Sequence, residues 1–187
     1  VGTQSDRLIL ALFLTASQMG LYVIAWSLVN AVRSLLQSLD GQITLPILSE
    51  LFRTRPANAL ELYYKYRKPI EVLTFTVVGV LWIVGAELID FLYDDRYIEA
   101  GWMLQVFALS LLPFPFQMIN SAFIAHDEWR SFSVNSVVLG ISLFTALFVG
   151  YSVAGWTGII WGMALYSWPA TFILLWRAYR RGWVDPI

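Results

Sequence analysis

The pattern of apolar and polar positions is most informative between Gly20 and Pro46, GLYVIAWSLVNAVRSLLQSLDGQITLP. The stretch is long and apolar enough to cross a bilayer, which takes about 20 residues at ~1.5 Å rise each. Yet Asn30, Arg33, Gln37 and Asp40 recur at spacings that put all of them on one helical face. At roughly 100° per residue, Ser27, Asn30, Arg33, Ser34, Gln37, Asp40, Gly41 and Thr44 fill a polar arc of ~140°. Ile24, Ala25, Leu28, Ala31, Val32, Leu35, Leu36 and Leu39 fill the opposite arc. With Leu21 at one surface, Arg33 lies ~18 Å down, near the middle of a hydrocarbon core about 30 Å thick. Such groups are costly in lipid and face a bundle interior or water, so the helix reads as the wall of a polar cavity within the membrane.

The remaining pattern predicts further helices. Residues 7–14, RLILALFL, are too short to span and read as the second half of a helix. An uncharged turn, Thr15 to Met19, leads to the cavity helix, and Pro46 breaks that helix because it has no N–H. Residues 53–69 form a basic connector with Leu60, Tyr63, Tyr64 and Tyr66 interleaved, suited to lie on headgroups. Pro69 opens the next span, Ile70 to Leu92, which runs into the acidic loop LYDDRYIEAG. Gly101 to Ala125 is a further span carrying Gln105, Gln117 and Asn120, interrupted by Pro113 and Pro115. A kinked or broken helix there frees backbone groups that only protein or water can satisfy. HDEWR leads to Phe132–Tyr151, a turn at Ala154 and Gly155 follows, and Trp156–Trp176 is the last span, ending in RAYRRG. The expectation is an all-α polytopic membrane bundle of six helices, the first truncated, forming a single membrane domain over residues 1–187.

Composition agrees. The 187 residues are 58% hydrophobic and 13% charged, with mean hydropathy +0.65, against about 25% charged in a soluble domain. There is no cysteine, which excludes disulfides and thiol-ligated metals. No signal peptide is visible. A start at Val1 that reaches Asp6-Arg7 in an apolar setting predicts a fragment cut within a membrane helix. Tryptophans such as Trp102, Trp129, Trp156, Trp176 and Trp183 fall at span ends, as an interfacial belt would place them.

Charge distribution gives orientation. Arg53, Arg55, Lys65, Arg67, Lys68, Arg130, Arg177, Arg180 and Arg181 share one side, and the opposite loops hold only Arg96. The basic side is cytoplasmic by the positive-inside rule, which puts the C-terminus inside and the LYDDRYIE loop outside.

The segments SDRLILALFL with MGLYVIAWSL, then LPILSELF, then LYDDRYIEAGWMLQVFAL, together resemble the polysaccharide flippases of the multidrug/oligosaccharidyl-lipid/polysaccharide exporter superfamily. The shared pattern is an Asp-Arg pair in a lobe's first helix and Gly-hydrophobic-Tyr opening the second. A Pro-hydrophobic-hydrophobic-Ser step follows, and then an "LY…Y..AG..LQ..AL" run across an external loop. The pieces occur in order and cover most of the chain. The resemblance implies a fold of two six-helix lobes around a cavity, with this chain as the second lobe. It implies alternating-access export of an undecaprenyl-diphosphate-linked oligosaccharide across a bacterial inner membrane, with the N-terminal lobe and membrane lipids as partners. It further implies that cationic cavity residues meet the diphosphate, and Arg7 and Arg33 fit that role.

The candidate substrate-binding residues are therefore Arg33, Arg7, Asp6, Asn30, Gln37 and Asp40, with Pro113 and Pro115 as candidate hinges. Arg suits a diphosphate because its planar fork binds oxygen pairs bidentately. The competing structural readings are a buried pair of Arg33 with Asp40 or Asp6, a self-neutralising Asp6-Arg7 pair and a static proline kink. Asp94-Asp95 lacks the second acidic cluster a metal-diphosphate enzyme needs, and the lone His126 builds no zinc site. No catalytic residue, metal, cofactor or nucleic-acid partner is expected. Two other classes remain open: a drug or cation antiporter on the same fold, which favours an acidic cavity, and a glycan polymerase or ligase, which carries long catalytic external loops.

Overall fold

The computed structural model describes residues 10–11, 13–44, 46, 59–120, 123 and 129–180. These residues are helical or in short turns, and no strand occurs among them. Helix α1 spans Ala16–Leu39. A capping box starts it: the Gln18 amide donates to the Thr15 hydroxyl at 3.3 Å, and the Thr15 amide donates to Gln18 Oε1 at 3.0 Å. From Asp40 to Thr44 the helix widens into a π-helical turn.

Helix α2 spans Ala59–Leu92 and contains Pro69. Pro69 lies in the first turn of the membrane-length stretch Arg67–Leu92, close to the expected span, but it does not start the helix, which begins ten residues earlier and runs through it. The lost N–H costs one ladder bond. Burial of Arg67 and Ile70 on either side of the proline, and the Arg67–Glu71 pair at 3.2 Å, hold the helix across it. The second half of the basic connector is thus part of α2. Residues 51–58 lie outside the described residues.

After a 3₁₀ turn at Asp95–Tyr97 comes α3, Ala100–Ala108, whose residues are nearly all buried. It packs against α1, α2 and the long helix over residues 129–165. Met103, Leu104 and Phe107 are fully enclosed. Gln105 Nε2 donates to the Trp82 carbonyl at 2.9 Å and ties α3 to α2. The chain then tightens to a 3₁₀ segment, Leu109–Leu111, turns, and re-enters a single helical turn, α4, Phe114–Gln117, with Pro113 at its N-cap.

Helix α5, Trp129–Leu165, doubles back on itself at Ala154 and Gly155. Gly155 has φ 61° and ψ −137°, a conformation open to glycine and strained for residues with a Cβ. A Cβ on Gly158 would overlap the carbonyl of Gly150, and one on Gly162 would meet the Ala146 carbonyl at 2.6 Å. The two arms therefore run antiparallel about residue 154 in backbone contact. Helix α6, Ser167–Arg180, continues the second arm.

Ring contacts identify the two ends of the bundle. Phe13 meets Tyr151 at 5.1 Å, and Trp102 meets Trp156 at 5.5 Å, so residues near 13, 102 and 151–156 share the hairpin end. Ile70, Met118, Ile119, Phe123, Leu174 and Ala178 form a second core at the opposite end. Gln117 Nε2 donates there to Thr171 Oγ1 at 2.9 Å, joining α4 to α6.

Three stretches of the described residues are long and apolar enough to cross a membrane: Ala16–Gln42, Arg67–Leu92 and Ser133–Arg180. Six were expected, counting the truncated first helix over 7–14, which lies partly outside the described residues. Residues 101–120 run from the hairpin end to the opposite end, broken at the 3₁₀ segment and Pro113 as the interrupted run predicts, so no single helix there is long enough to span. The spans expected at 132–151 and 156–176 are present as the two arms of the folded-back stretch, joined by the expected turn at Ala154 and Gly155. Among the described residues there are therefore four long helices, not six: α1, α2 and the two arms.

Candidate functional site

Arg33 lies on the packed side of α1, between the fully buried Val29 and Leu36. The helix seats itself through Tyr22 and Trp26, whose rings lie 5.5 and 5.0 Å from Phe107 of α3. That places the half-buried Arg33 beside the segment where α3 ends. Its Nη2 donates to Ser110 Oγ at 2.7 Å and to the Ser110 carbonyl at 3.2 Å. The guanidinium carbon lies 5.3 Å from the Trp26 ring centroid.

The Ser110 carbonyl needs an outside donor for a simple reason. In a 3₁₀ segment the carbonyl of residue 110 would accept from the N–H of residue 113, and Pro113 has none. Arg33 supplies the missing proton from another helix. Ser110 is itself buried, and its hydroxyl donates to the Phe107 carbonyl at 2.7 Å. Hydrogen bonds to a charged group contribute about 1.5–3 kcal/mol, and a cation–π contact about 0.5–2 kcal/mol. Together they offset the ~2.5–3.5 kcal/mol that an arginine costs at a membrane-helix centre. Among the described residues no carboxylate pairs with Arg33, so the buried pair with Asp40 is not formed.

The other polar residues of α1 part company. Gln37 is exposed, with Ser27, Ser34, Ser38 and Gln42. Gln42 Nε2 donates to Ser38 Oγ at 2.8 Å. Asn30 and Asp40 are half-buried, and Asp40 opens the π-helical turn. Asp6 and Arg7 lie outside the described residues, as does His126. Pro113 and Pro115 both sit at the break: Pro113 caps α4 and Pro115 is buried within it. No group of three or more His, Cys, Asp or Glu able to hold a metal occurs among the described residues.

Sequence reasoning missed Ser110 and Trp26. Trp26 stands seven residues before Arg33, two helical turns on the same face. Ser110 had a signal in LSLLP, a carbonyl three residues before a proline. Nothing in the pattern says that the donor comes from 77 residues away.

A buried cation, Arg67, lies at the opposite end of the bundle. Its Nε donates to Glu71 Oε2 at 3.2 Å, and its guanidinium lies 4.7 Å from the Phe116 ring and 5.5 Å from the Tyr64 ring.

These features define an all-helical membrane protein with membrane-length helices packed around a buried connecting helix and an arginine held at a proline break. Residues 1–102 match the model of a family described as polysaccharide biosynthesis protein. The match covers more than half of the chain, which therefore belongs to that family, and its work lies in polysaccharide biosynthesis. No curated protein and no solved structure matches the chain.

Proposed function

We propose that this chain exports a lipid-linked oligosaccharide, a polysaccharide precursor, across a bacterial inner membrane by alternating access. The observation that carries the reading is Arg33: a cation on a membrane-length helix, without a carboxylate partner among the described residues, next to an exposed polar stripe. Polar groups on such a helix face water or protein rather than lipid. A second helical lobe facing α1 would close a cavity along this stripe, as the resemblance to the exporter superfamily implies. A diphosphate headgroup carries the charge and paired oxygens that suit a guanidinium fork. A cation antiporter is disfavoured by the same basic group. A polymerase or ligase is disfavoured by the short links at the hairpin end, where 93–99 and 154–155 join helices with little chain to spare.

The positive-inside asymmetry supports an orientation with the C-terminus in the cytoplasm. The test compares Arg33→Ala, Arg33→Met and Arg33→Lys in cells, measuring membrane abundance and surface glycan. Ala and Met should accumulate normally and lose export, while Lys should keep part of it, having the charge without the fork. Normal export by a well-expressed Arg33→Ala would remove this residue from the site and the reading with it.

A further inference from the structure

The way Arg33 is bonded constrains how it can meet an anion. A guanidinium presents two pairs of parallel N–H donors: the end-on edge of Nη1 with Nη2, and the side-on edge of Nε with Nη2. Nη2 belongs to both edges. It is also the atom that donates to Ser110 Oγ at 2.7 Å and to the Ser110 carbonyl at 3.2 Å. With Ser110 on Nη2, neither edge is fully open to a phosphate. Bidentate capture of an anion requires Arg33 to leave Ser110.

Leaving has a consequence at the break. The Ser110 carbonyl stands in a 3₁₀ segment three residues before Pro113, so no backbone N–H at 113 replaces the arginine. A buried carbonyl without a donor is unfavourable, so the segment 109–113 must rearrange or take up water. We infer that Ser110 is a positioning residue that competes with the anion for Arg33, so that anion capture and release of the helix break at 109–113 are one event. The inference rests on the reading of Arg33 as the anion-binding group and adds the step that couples binding to movement. It also assigns Pro113 a chemical part: the proline leaves the carbonyl dependent on Arg33.

The test uses the chain in lipid nanodiscs and inorganic diphosphate as the probe. Ser110→Ala removes the shorter of the two competing bonds and should tighten diphosphate binding by about tenfold, the equivalent of one charge-assisted hydrogen bond. Ser110→Thr keeps the hydroxyl and should bind like the parent. Pro113→Ala returns an N–H to the Ser110 carbonyl by an independent route and should also tighten binding. Arg33→Ala should abolish it. The chain has no cysteine, so a single cysteine at Leu112 reports on the break and should label faster when diphosphate is bound.

A Ser110→Ala variant that binds no tighter than the parent, with Arg33→Ala still null, would overturn the competition and leave the anion site standing. Labelling at Leu112 that ignores bound diphosphate would overturn the coupling. Binding that survives Arg33→Ala would instead remove the anion site, and both readings fall. Absence of binding in the parent and in every Ser110 and Pro113 variant has the same meaning.

Discussion

Gly158 lies against the carbonyl of Gly150 across the α5 hairpin, so close that neither position has room for a Cβ. Each arm has 25 residues or so, ~37 Å at the helical rise, enough to cross a bilayer of about 30 Å. In lipid, arms associate through close backbone approach and dispersion contacts, which small residues permit. Gly158→Ala should therefore push the arms apart and cost about 1–3 kcal/mol, as overpacking does. Gly140→Ala lies in the first arm and meets nothing within 4 Å. It should be neutral or slightly stabilising, since alanine favours the helix over glycine by roughly 0.5–1 kcal/mol. Unfolding midpoints of the two variants in mixed micelles check the contrast; equal midpoints would contradict the packed hairpin.

Gly155 supplies the reversal itself. At φ 61° and ψ −137° an alanine is strained by about 1–3 kcal/mol, although nothing lies within 4 Å of its Cβ. Gly155→Ala should lower stability through the backbone alone, and a longer glycine-containing insertion at 154–155 should restore it. Stability equal to the parent would mean that the turn has another conformation.

Much of this was legible in the sequence, for reasons that can be stated. The hairpin shows as two apolar runs separated by Ala154-Gly155, and a glycine between such runs marks a reversal. The break after α3 shows as Pro113 and Pro115 within a polar-flecked apolar run. The start of α1 was misplaced: Thr15 to Met19 read as a turn, but Thr15 and Gln18 form a capping box and the helix begins at Ala16. Pro69 misled because local preference places a helix start there, whereas the burial of Arg67 and Ile70 decides the outcome. The helix count differs because hydropathy registers apolar length, whereas the 3₁₀ segment and Pro113 leave 101–120 as two short helices rather than one long one. Of the site, the arginine was visible as a charge in an apolar helix. Its partner was not, because a contact across 77 residues belongs to the fold and leaves no periodic trace.

Arg67 offers a measurement of a buried charge near the end of the bundle. Its side chain is 9% exposed and that of Glu71 is 24% exposed. Removing one partner of such a pair leaves the other charge partly buried, and truncation also strips the contacts with Tyr64 and Phe116. Arg67→Met should destabilise by about 1–3 kcal/mol, less than the full cost of a dry pair because Glu71 keeps some solvent. Adding Glu71→Gln should recover a large part of the loss. A double-mutant cycle with no coupling would show that ring packing, not the ion pair, holds Arg67.

The two ends of the bundle also fix a topology experiment whose outcomes separate structure from orientation. The hairpin end gathers residues near 13, 102 and 151–156 through the Phe13–Tyr151 and Trp102–Trp156 contacts. Asp95 is exposed there in the link between α2 and α3, and Val153 is 79% exposed at the hairpin tip. The hairpin end holds Arg96, paired with Asp94 at 3.1 Å. The opposite end carries Lys65, Lys68, Arg130, Arg177 and Arg180, with Arg180 lying 4.2 Å from the Trp176 ring. Basic residues near span ends stay on the cytoplasmic side. Single cysteines at Asp95 and Val153 should therefore react with an impermeant maleimide added to intact cells, and those at Lys65 and Tyr179 should react only after permeabilisation. The absence of native cysteine makes the labels unambiguous. Complete inversion of the pattern would reverse the orientation and leave the fold intact. Labelling of Asp95 without Val153 is the more damaging result, because it would put on opposite sides of the membrane two residues that the aromatic contacts hold at one end.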